Sequence, residues 1–118
     1  MKRILITGSR DWTDVDLIFD ALNAVLGKVG TDITVVHGGA RGADNLAGTW
    51  ASIHEITEEI HRADWEKHGK RAGMVRNAVM VNKGADICLA FIRNESPGAT
   101  MAAGLAEKAG IPVYRFTR

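Results

Sequence analysis

Strand-like and helix-like segments alternate along this chain, with no linker, low-complexity tract or repeat between them. Such alternation is typical of βαβ units, in which parallel strands form one sheet and the connecting helices cover its faces. A chain of 118 residues is long enough to bury one hydrophobic core but too short for a second. The sequence therefore predicts an α/β fold with a single domain over residues 1–118.

The boundaries of these elements follow from apolar spacing and from helix start and stop signals. Thr13 and Asp16 have the spacing of a capping box ahead of the first helix, and Gly84 and Gly110 each end a later helix. A polar loop is expected between the third strand and the third helix. The predicted strands are 2–7, 33–37, 56–61, 86–92 and 112–116, and the predicted helices are about 14–29, 43–52, 72–83 and 99–109.

Hydrophobic patterning within the strands predicts their order in the sheet. The first strand, with Ile4, Leu5 and Ile6, and the fourth strand are continuously apolar, as expected for strands buried on both faces. The third and fifth strands alternate apolar and polar residues, which is typical of sheet edges. We therefore predict a Rossmann-like three-layer sandwich whose five-stranded parallel sheet has the order 3-2-1-4-5. Ligands of such sheets bind at the switch point, beyond the carboxyl ends of strands one and four.

A glycine-rich turn, Gly38 to Asp44, follows the second strand and opens the second helix. Glycines let the backbone turn sharply, and the positive end of the following helix favours a phosphate group. The loops after strands one and four, 8–12 and 93–100, also carry glycine and are expected at the same sheet edge. Each glycine taken alone is equally well explained by tight packing, but three such loops together predict a crevice for a phosphorylated ligand.

Two common nucleotide motifs are absent from these loops. The turn after strand two lacks the Gly-Lys-Ser/Thr ending of a P-loop. The turn after strand one lacks the G-x-G-x-x-G dinucleotide fingerprint, and strand two ends in His37 rather than in an acidic residue for a ribose. P-loop hydrolysis of a nucleoside triphosphate and NAD-dependent dehydrogenation are therefore poor explanations.

Individual side chains near the predicted crevice have a functional and a structural explanation. His37 either polarises a ligand or makes a structural hydrogen bond. Trp12 and Trp65 either stack on a base or clamp their own loops, whereas Trp50 is predicted to lie in the core. Asp44, at a helix start, either caps the helix, accepts a ribose hydroxyl or acts in catalysis.

The composition is that of an ordinary globular protein, with a formal net charge of +1 and 46% hydrophobic residues. This near-neutral charge makes nucleic acid an unlikely partner, although the segment His61–Arg76 is locally basic and could form one wall of the crevice. The single cysteine, Cys88, excludes a disulfide within the chain, and the four histidines lack metal-ligand spacing. We expect a cytoplasmic protein with no membrane span, no metal and no cofactor.

Several of these motifs, taken in order along the chain, resemble the small SLOG-superfamily proteins related to YspA and YpsA. They are Thr7–Arg10, His37–Asp44, Ala63–Trp65, Gly73–Met80 and Ser96–Thr100. The resemblance implies a Rossmann-like domain that binds a nucleotide or a nucleotide-derived ligand, such as a nucleoside phosphate or an ADP-ribose-like molecule. It also implies a homodimer. The ligand-binding residues implied by the resemblance are Gly8, Ser9, Arg10, Gly38, Gly39, Gly42, Asp44, Arg76, Asn77, Gly98 and Thr100. We add Arg41 of the glycine turn to this set, and we expect Arg41 and Arg76 to hold the phosphate.

The LOG-type phosphoribohydrolases of the same superfamily offer a comparison on the catalytic carboxylate. Arg76 and Met80 match their R-K-x-x-M segment, but Asn77 replaces the lysine. Ala103 stands where their second motif has a glutamate. Cleavage of an N-glycosidic bond needs such a carboxylate. A ligand-binding protein is therefore the leading hypothesis. The alternatives are an N-glycoside hydrolase that uses Asp44 or Asp64, and a weaker DprA-like interaction with single-stranded nucleic acid.

Overall fold

Five parallel strands form one sheet in the computed structural model, which describes residues 2–118. The strands are β1 (Lys2–Gly8), β2 (Ile33–His37), β3 (Thr57–Ile60), β4 (Ile87–Ile92) and β5 (Val113–Thr117). Their order is β3-β2-β1-β4-β5, so the predicted α/β fold and its strand order are confirmed. Among the described residues, no helix combines the length and the apolar character needed to cross a bilayer.

The helices confirm the predicted alternation, with one addition. They are α1 (Val15–Val29), α2 (Ala43–Ile53), α3 (Trp65–His68), α4 (Ala72–Lys83) and α5 (Pro97–Lys108). The addition is α3, which lies within the predicted polar loop and continues into a 3₁₀ turn over Gly69–Arg71. Asp64 starts this short helix because its Oδ1 accepts a hydrogen bond from the Lys67 amide at 3.1 Å.

The predicted capping box at the start of α1 is wrong by one position. Asp14, not Thr13, is the N-cap, and its Oδ1 accepts a hydrogen bond from the Leu17 amide at 3.1 Å. A carboxylate placed three residues before that amide satisfies one of the unpaired donors of the first turn. Gly30 ends α1, because it has φ +79° and its amide donates a hydrogen bond to the Leu26 carbonyl.

The core has two layers, one on each face of the sheet. On one face, Ile4, Ile6 and Phe91 pack with Ile18 and Leu22 of α1 and with Trp50 of α2. On the other face, Leu5, Val36 and Cys88 pack with residues of α4 and α5. Because β1 pairs with both β2 and β4, its side chains are buried on both faces. This arrangement is the predicted three-layer sandwich.

Ser9 ties together three loops at the carboxyl edge of the sheet. Its amide donates to the Phe91 carbonyl at 2.8 Å, and its hydroxyl accepts from the Arg93 amide at 2.9 Å. Its carbonyl accepts from the Ala43 amide at the start of α2. The loop after β1, the loop after β4 and the glycine turn after β2 are therefore held in one place, at the predicted switch point.

Candidate anion-binding crevice

An open crevice of about 760 Å³ lies beyond the carboxyl ends of the strands at this switch point. It is bounded by the loops after β1, β2 and β4 and by the facing sides of α4 and α5. A second cavity of about 420 Å³ adjoins it, and both are lined by Arg10, Ala40, Arg41, Trp65 and Arg76. The strand order thus places a cavity where the sequence predicted a ligand.

The residues implied as ligand-binding divide into three groups by position. Those that line the larger crevice are Gly8, Arg10, Arg41, Asp44, Arg76, Asn77 and Gly98. Gly38 and Gly39 line the smaller cavity. Ser9, Gly42 and Thr100 line neither of these two cavities. Ser9 and Gly42 instead serve the packing of the loops, because a Cβ on Gly42 would collide with the Ser9 carbonyl.

The glycine turn uses its own amides internally. Asp44 Oδ2 accepts hydrogen bonds from the Gly38 amide at 3.1 Å and from the Ala40 amide at 3.3 Å. His37 Nδ1 accepts from the Gly39 amide at 2.9 Å. These three donors therefore already have protein acceptors, in contrast to the amides of a phosphate-cradling loop. The anion-binding capacity of this region rests on the side chains around the turn.

His37 has the structural role rather than the ligand-polarising one. It is 2% exposed and lies beneath the glycine turn. Since Nδ1 accepts the Gly39 amide proton, Nε2 carries the ring proton and faces Glu58 Oε1 on β3 at 2.5 Å. The ring therefore links the turn to the edge strand.

Asp44 is a buried carboxylate at the base of the crevice. It is 6% exposed, and burial raises its pKa, while the nearby His37, the Ala40 amide and Arg76 act in the opposite direction. It is not the helix cap, because Gly42 occupies that position. Its role in the fold is to close the glycine turn.

Arg76 is the central cation of the site. Its Nη1 donates to the Gly38 carbonyl at 2.8 Å and its Nε donates to Asn77 Oδ1 at 2.7 Å, which fixes the guanidinium. A Cβ on Gly38 would collide with this group, so only glycine permits the close approach. Burial lowers the pKa of Arg76, Asp44 opposes this shift and Arg10 adds to it. An anion bound here would offset the cost of burying the Arg76 charge and the repulsion between the two arginines.

The cations at the crevice are in excess over the acids that neutralise them. Arg93 forms an ion pair with Asp11 at 3.0 Å. In the part of the chain that the structure describes, none of Arg10, Arg41 and Arg76 has a carboxylate oxygen within 4.0 Å. The crevice therefore presents uncompensated positive charge, which favours an anionic ligand.

The N-terminus of α5 forms the opposite wall. Pro97 occupies the first turn and Gly98 lines the crevice. Ser96 is the N-cap residue, but its side chain makes no capping hydrogen bond. A helix N-terminus with uncapped first-turn amides favours negative charge. Thr100, which was also implied as a ligand-binding residue, lies two residues after Gly98 and is exposed outside the crevice.

Sequence reasoning missed the apolar part of the crevice. Met74 and Met80 of α4 and Met101 of α5 line it. The methionines stand apart in the sequence and become neighbours only because α4 packs beside α5. Lys70 and Arg93 also line the crevice. Lys70 belongs to the basic segment His61–Arg76 that was expected as one wall, and Arg93 belongs to the loop after β4 that was expected at this sheet edge.

The three tryptophans occupy different environments. Trp50 is fully buried, as predicted. Trp12 is 2% exposed, packs edge-on against Phe91 and donates its Nε1–H to the Asp14 carbonyl at 2.9 Å, so it clamps its own loop. Trp65 is 50% exposed at the mouth of both cavities, and the Arg10 guanidinium carbon lies 5.3 Å from its ring centroid.

The catalytic candidates do not form a pair of carboxylates. Asp64 is exposed, caps α3 and lines neither cavity, so of these two candidates Asp44 alone reaches the crevice. Asp11 also lines the crevice, where it is paired with Arg93. Ala103 is fully buried and packs with Ala90 and Ile92 in the core. In residues 2–118, no group of three or more His, Cys, Asp or Glu side chains is arranged to hold a metal ion.

Two comparisons identify the relatives of this chain. A family profile described as "YAcAr: YspA, cpYpsA-related SLOG family" matches residues 2–68, which is more than half of the sequence. The chain is also 50% identical over 121 residues to the "Gene 61 protein" of Mycobacterium phage D29, an alignment that covers 98% of this chain and 97% of that protein. The profile covers the loops after β1 and β2, and the alignment with the phage protein also covers the loop after β4 and the helices α4 and α5. The chain therefore belongs to the YspA, cpYpsA-related SLOG family.

Proposed function

We propose that this protein binds a nucleotide or a nucleotide-derived ligand, such as a nucleoside phosphate or an ADP-ribose-like molecule, in the crevice at the carboxyl ends of β1, β2 and β4. The observation that carries the proposal is the convergence of Arg10, Arg41 and Arg76 on a cavity of about 760 Å³, with no carboxylate oxygen of the described residues within 4.0 Å of any of them. Membership of the SLOG family is compatible with this function.

Different residues of the crevice are suited to different groups of such a ligand. Arg76 and Arg41 hold a phosphate group, since Arg76 is already fixed by the Gly38 carbonyl and Arg41 is exposed and lines the same two cavities. The first turn of α5 at Gly98 takes a second negative group. Asp44 lines the same crevice and presents a carboxylate for a ribose hydroxyl.

A thermal-shift experiment tests this proposal directly. The four nucleoside 5′-monophosphates, ADP, ADP-ribose, ribose 5-phosphate and pyrophosphate are titrated into the purified protein. We expect the melting temperature to rise with nucleotide concentration, because a ligand that binds only the folded state stabilises it. Arg76→Ala and Arg41→Ala should abolish or strongly reduce this rise. If no nucleotide raises the melting temperature, the proposal is wrong.

A matched control separates loss of binding from loss of folding. Arg71→Ala removes an exposed arginine from the same basic segment, one that lines neither cavity, and should leave the shift intact. Arg76→Ala also removes the hydrogen bond to Gly38, so its melting temperature without ligand is measured as well. Arg41 is exposed and serves as the second test of the phosphate site.

A hydrolase is the second candidate, and one observation favours it. Asp44 lines the crevice, and burial raises its pKa, which is the direction that favours a general acid. Chromatography of each nucleotide after long incubation distinguishes the two functions. Release of free base that is lost in Asp44→Asn would support hydrolysis. A ligand that is bound and recovered intact would support binding alone.

A further inference from the structure

We propose that Trp65 is a stacking platform for the planar base of the bound ligand. The inference rests on the proposed function and deepens it, because it distinguishes nucleotides from sugar phosphates and other small anions. It assigns a ligand-binding role to a residue outside the glycine turn and the arginine cluster.

The exposure of Trp65 separates it from the other two tryptophans. Trp12 and Trp50 are 2% and 0% exposed, and each donates its indole N–H to a protein acceptor. Trp65 retains half of its surface exposed on the four-residue helix α3. A tryptophan that served only to clamp its loop would be buried as Trp12 is, since exposure forfeits the gain from burying a large apolar ring.

The position of Trp65 relates it to the anion site. It lines both cavities, as do Arg10 and Arg76. A Cβ built on Gly73 of α4 would lie 3.7 Å from Arg76 Nη2, 3.9 Å from Trp65 Cη2 and 4.0 Å from Arg10 Nη2. The edge of the indole and both guanidinium groups therefore approach one point in the first turn of α4. A ligand whose phosphate contacts these arginines has its adjoining group within reach of the indole.

Arg10 prepares the indole for stacking. Its guanidinium carbon lies 5.3 Å from the ring centroid, within the range of a cation–π interaction. This contact covers part of the ring, orients it and ties it to a residue of the anion site. The exposed half of the side chain remains free for a second planar group. A nucleobase fits this surface because every base has a π-face that stacks on an aromatic side chain.

The platform predicts a particular selectivity. Ligands with a base should bind more tightly than their base-free counterparts, and the identity of the base should matter little, because stacking is tolerant of base type. A site made only of arginines and a helix end would bind both classes according to their charge.

The first test uses the intrinsic fluorescence of the protein. Trp65 is the exposed fluorophore among the three tryptophans, so acrylamide quenches mainly its emission. A nucleotide that raises the melting temperature should protect this emission from acrylamide, whereas ribose 5-phosphate or pyrophosphate should protect it much less. Equal protection by nucleotides and by base-free anions at saturation would contradict stacking.

The second test measures the affinity ratio between the best-binding nucleotide and ribose 5-phosphate by calorimetry. Trp65→Ala should weaken nucleotide binding by about tenfold or more while changing ribose 5-phosphate binding by less than about threefold, so that the ratio collapses. Trp65→Phe should retain most of the ratio, because it keeps an aromatic face. Release of Arg10 in Trp65→Ala affects both ligands alike and therefore cancels in the ratio.

The outcomes distinguish the two proposals. A ratio that falls in Trp65→Ala and persists in Trp65→Phe supports the platform. Equal weakening of both ligands overturns it and leaves the anion site standing. If neither nucleotides nor base-free anions bind the wild-type protein, the proposed function fails and the platform fails with it.

Discussion

Asp44 organises the glycine turn as a single buried side chain. One of its oxygens accepts two backbone amides, and the neighbouring His37 accepts the third. Burial raises the pKa of Asp44, so its carboxyl group stays protonated to a higher pH in the folded protein than in the unfolded chain. The contribution of Asp44 to the free energy of unfolding should therefore fall as the pH rises from 3.8, the ordinary pKa of the carboxyl group, towards the raised pKa of the folded state.

Substitution of Asp44 should reveal its role as an acceptor. We expect Asp44→Ala to lower the free energy of unfolding by about 2 kcal/mol or more, because two buried amides lose their acceptor. Asp44→Asn should cost less at neutral pH, since its amide oxygen still accepts hydrogen bonds and a neutral group escapes the burial penalty. Urea denaturation at pH 7 measures both values. An Asn variant as unstable as the Ala variant would contradict this account.

Helix α2 lies close to β3 because of a glycine in its middle. A Cβ on Gly48 would lie 2.6 Å from Glu58 Oε1 and 3.3 Å from His37 Nε2. The hydrogen bond between His37 and Glu58 therefore occupies the space that a side chain would need. The need for this space explains why position 48 is a glycine, a residue that is otherwise unfavourable inside a helix.

Two glycine-to-alanine substitutions in different helices should have different effects. Gly48→Ala should carry a penalty of about 1 kcal/mol that cancels the helix-propensity gain of alanine, because Glu58 must move and its hydrogen bond to His37 is lost. Gly104→Ala in α5 should stabilise the protein by about 0.5–1 kcal/mol, because a Cβ there meets no atom within 4 Å. Thermal and urea denaturation compare the two. In a Glu58→Ala background the Gly48→Ala penalty should disappear, and its persistence would contradict the proposed contact.

Across the whole molecule, Glu59 ties the edge strand to the centre of the sheet and to α4. It accepts two hydrogen bonds from Arg3 of β1, at 2.8 and 3.0 Å, and it contacts His61 at 2.6 Å and Lys83 at 3.6 Å. The hydrogen bonds from Arg3 and then from His61 lower the pKa of Glu59 to about 2. The ionised form is thus favoured in the folded state.

The hydrogen bonds and ion pairs of Glu59 should make the free energy of unfolding depend on pH in the acid range. A carboxylate whose pKa is lowered contributes stability above its ordinary pKa of 4.5, and this contribution is lost as the pH falls from 4.5 towards about 2. Glu59→Gln should therefore lower stability by about 1 kcal/mol at pH 7, after allowance for solvent screening, and flatten the acid limb of the curve. Urea denaturation from pH 7 to pH 2 measures both effects. An unchanged acid limb in the variant would contradict them.

The homodimer implied by the family resemblance stays a prediction at this scale. Several large apolar side chains are exposed, including Ile53 at 63% and Met101 at 52%. Sedimentation velocity should give a mass about twice the 12.8 kDa of one chain. A monomer at high micromolar concentration would contradict the expectation.

Much of this architecture could be predicted from local pattern. Continuous apolar runs at Ile4–Ile6 and in β4, against the alternation in β3 and β5, were enough to predict the strand order. The short helix α3 could not be found in this way, because four residues offer no helical period and only the Asp64 cap marks its start. At the crevice, Arg10, Arg41 and Arg76 were predicted individually, whereas the absence of a carboxylate oxygen within 4.0 Å of them depends on distances between loops.

The sequence by itself determined the fold, the location of the crevice and the family, because burial periodicity and motif spacing are local properties of the chain. The tertiary structure alone decided how the glycine turn is used. Gly38 and Arg76 are 38 positions apart, and no pattern indicates that the carbonyl of one fixes the guanidinium of the other. Asp44 and His37 accept the amides of Gly38, Gly39 and Ala40, so the cavity is left to the arginines and Trp65. The contact between Arg76 and the turn depends on the packing of α4 against it.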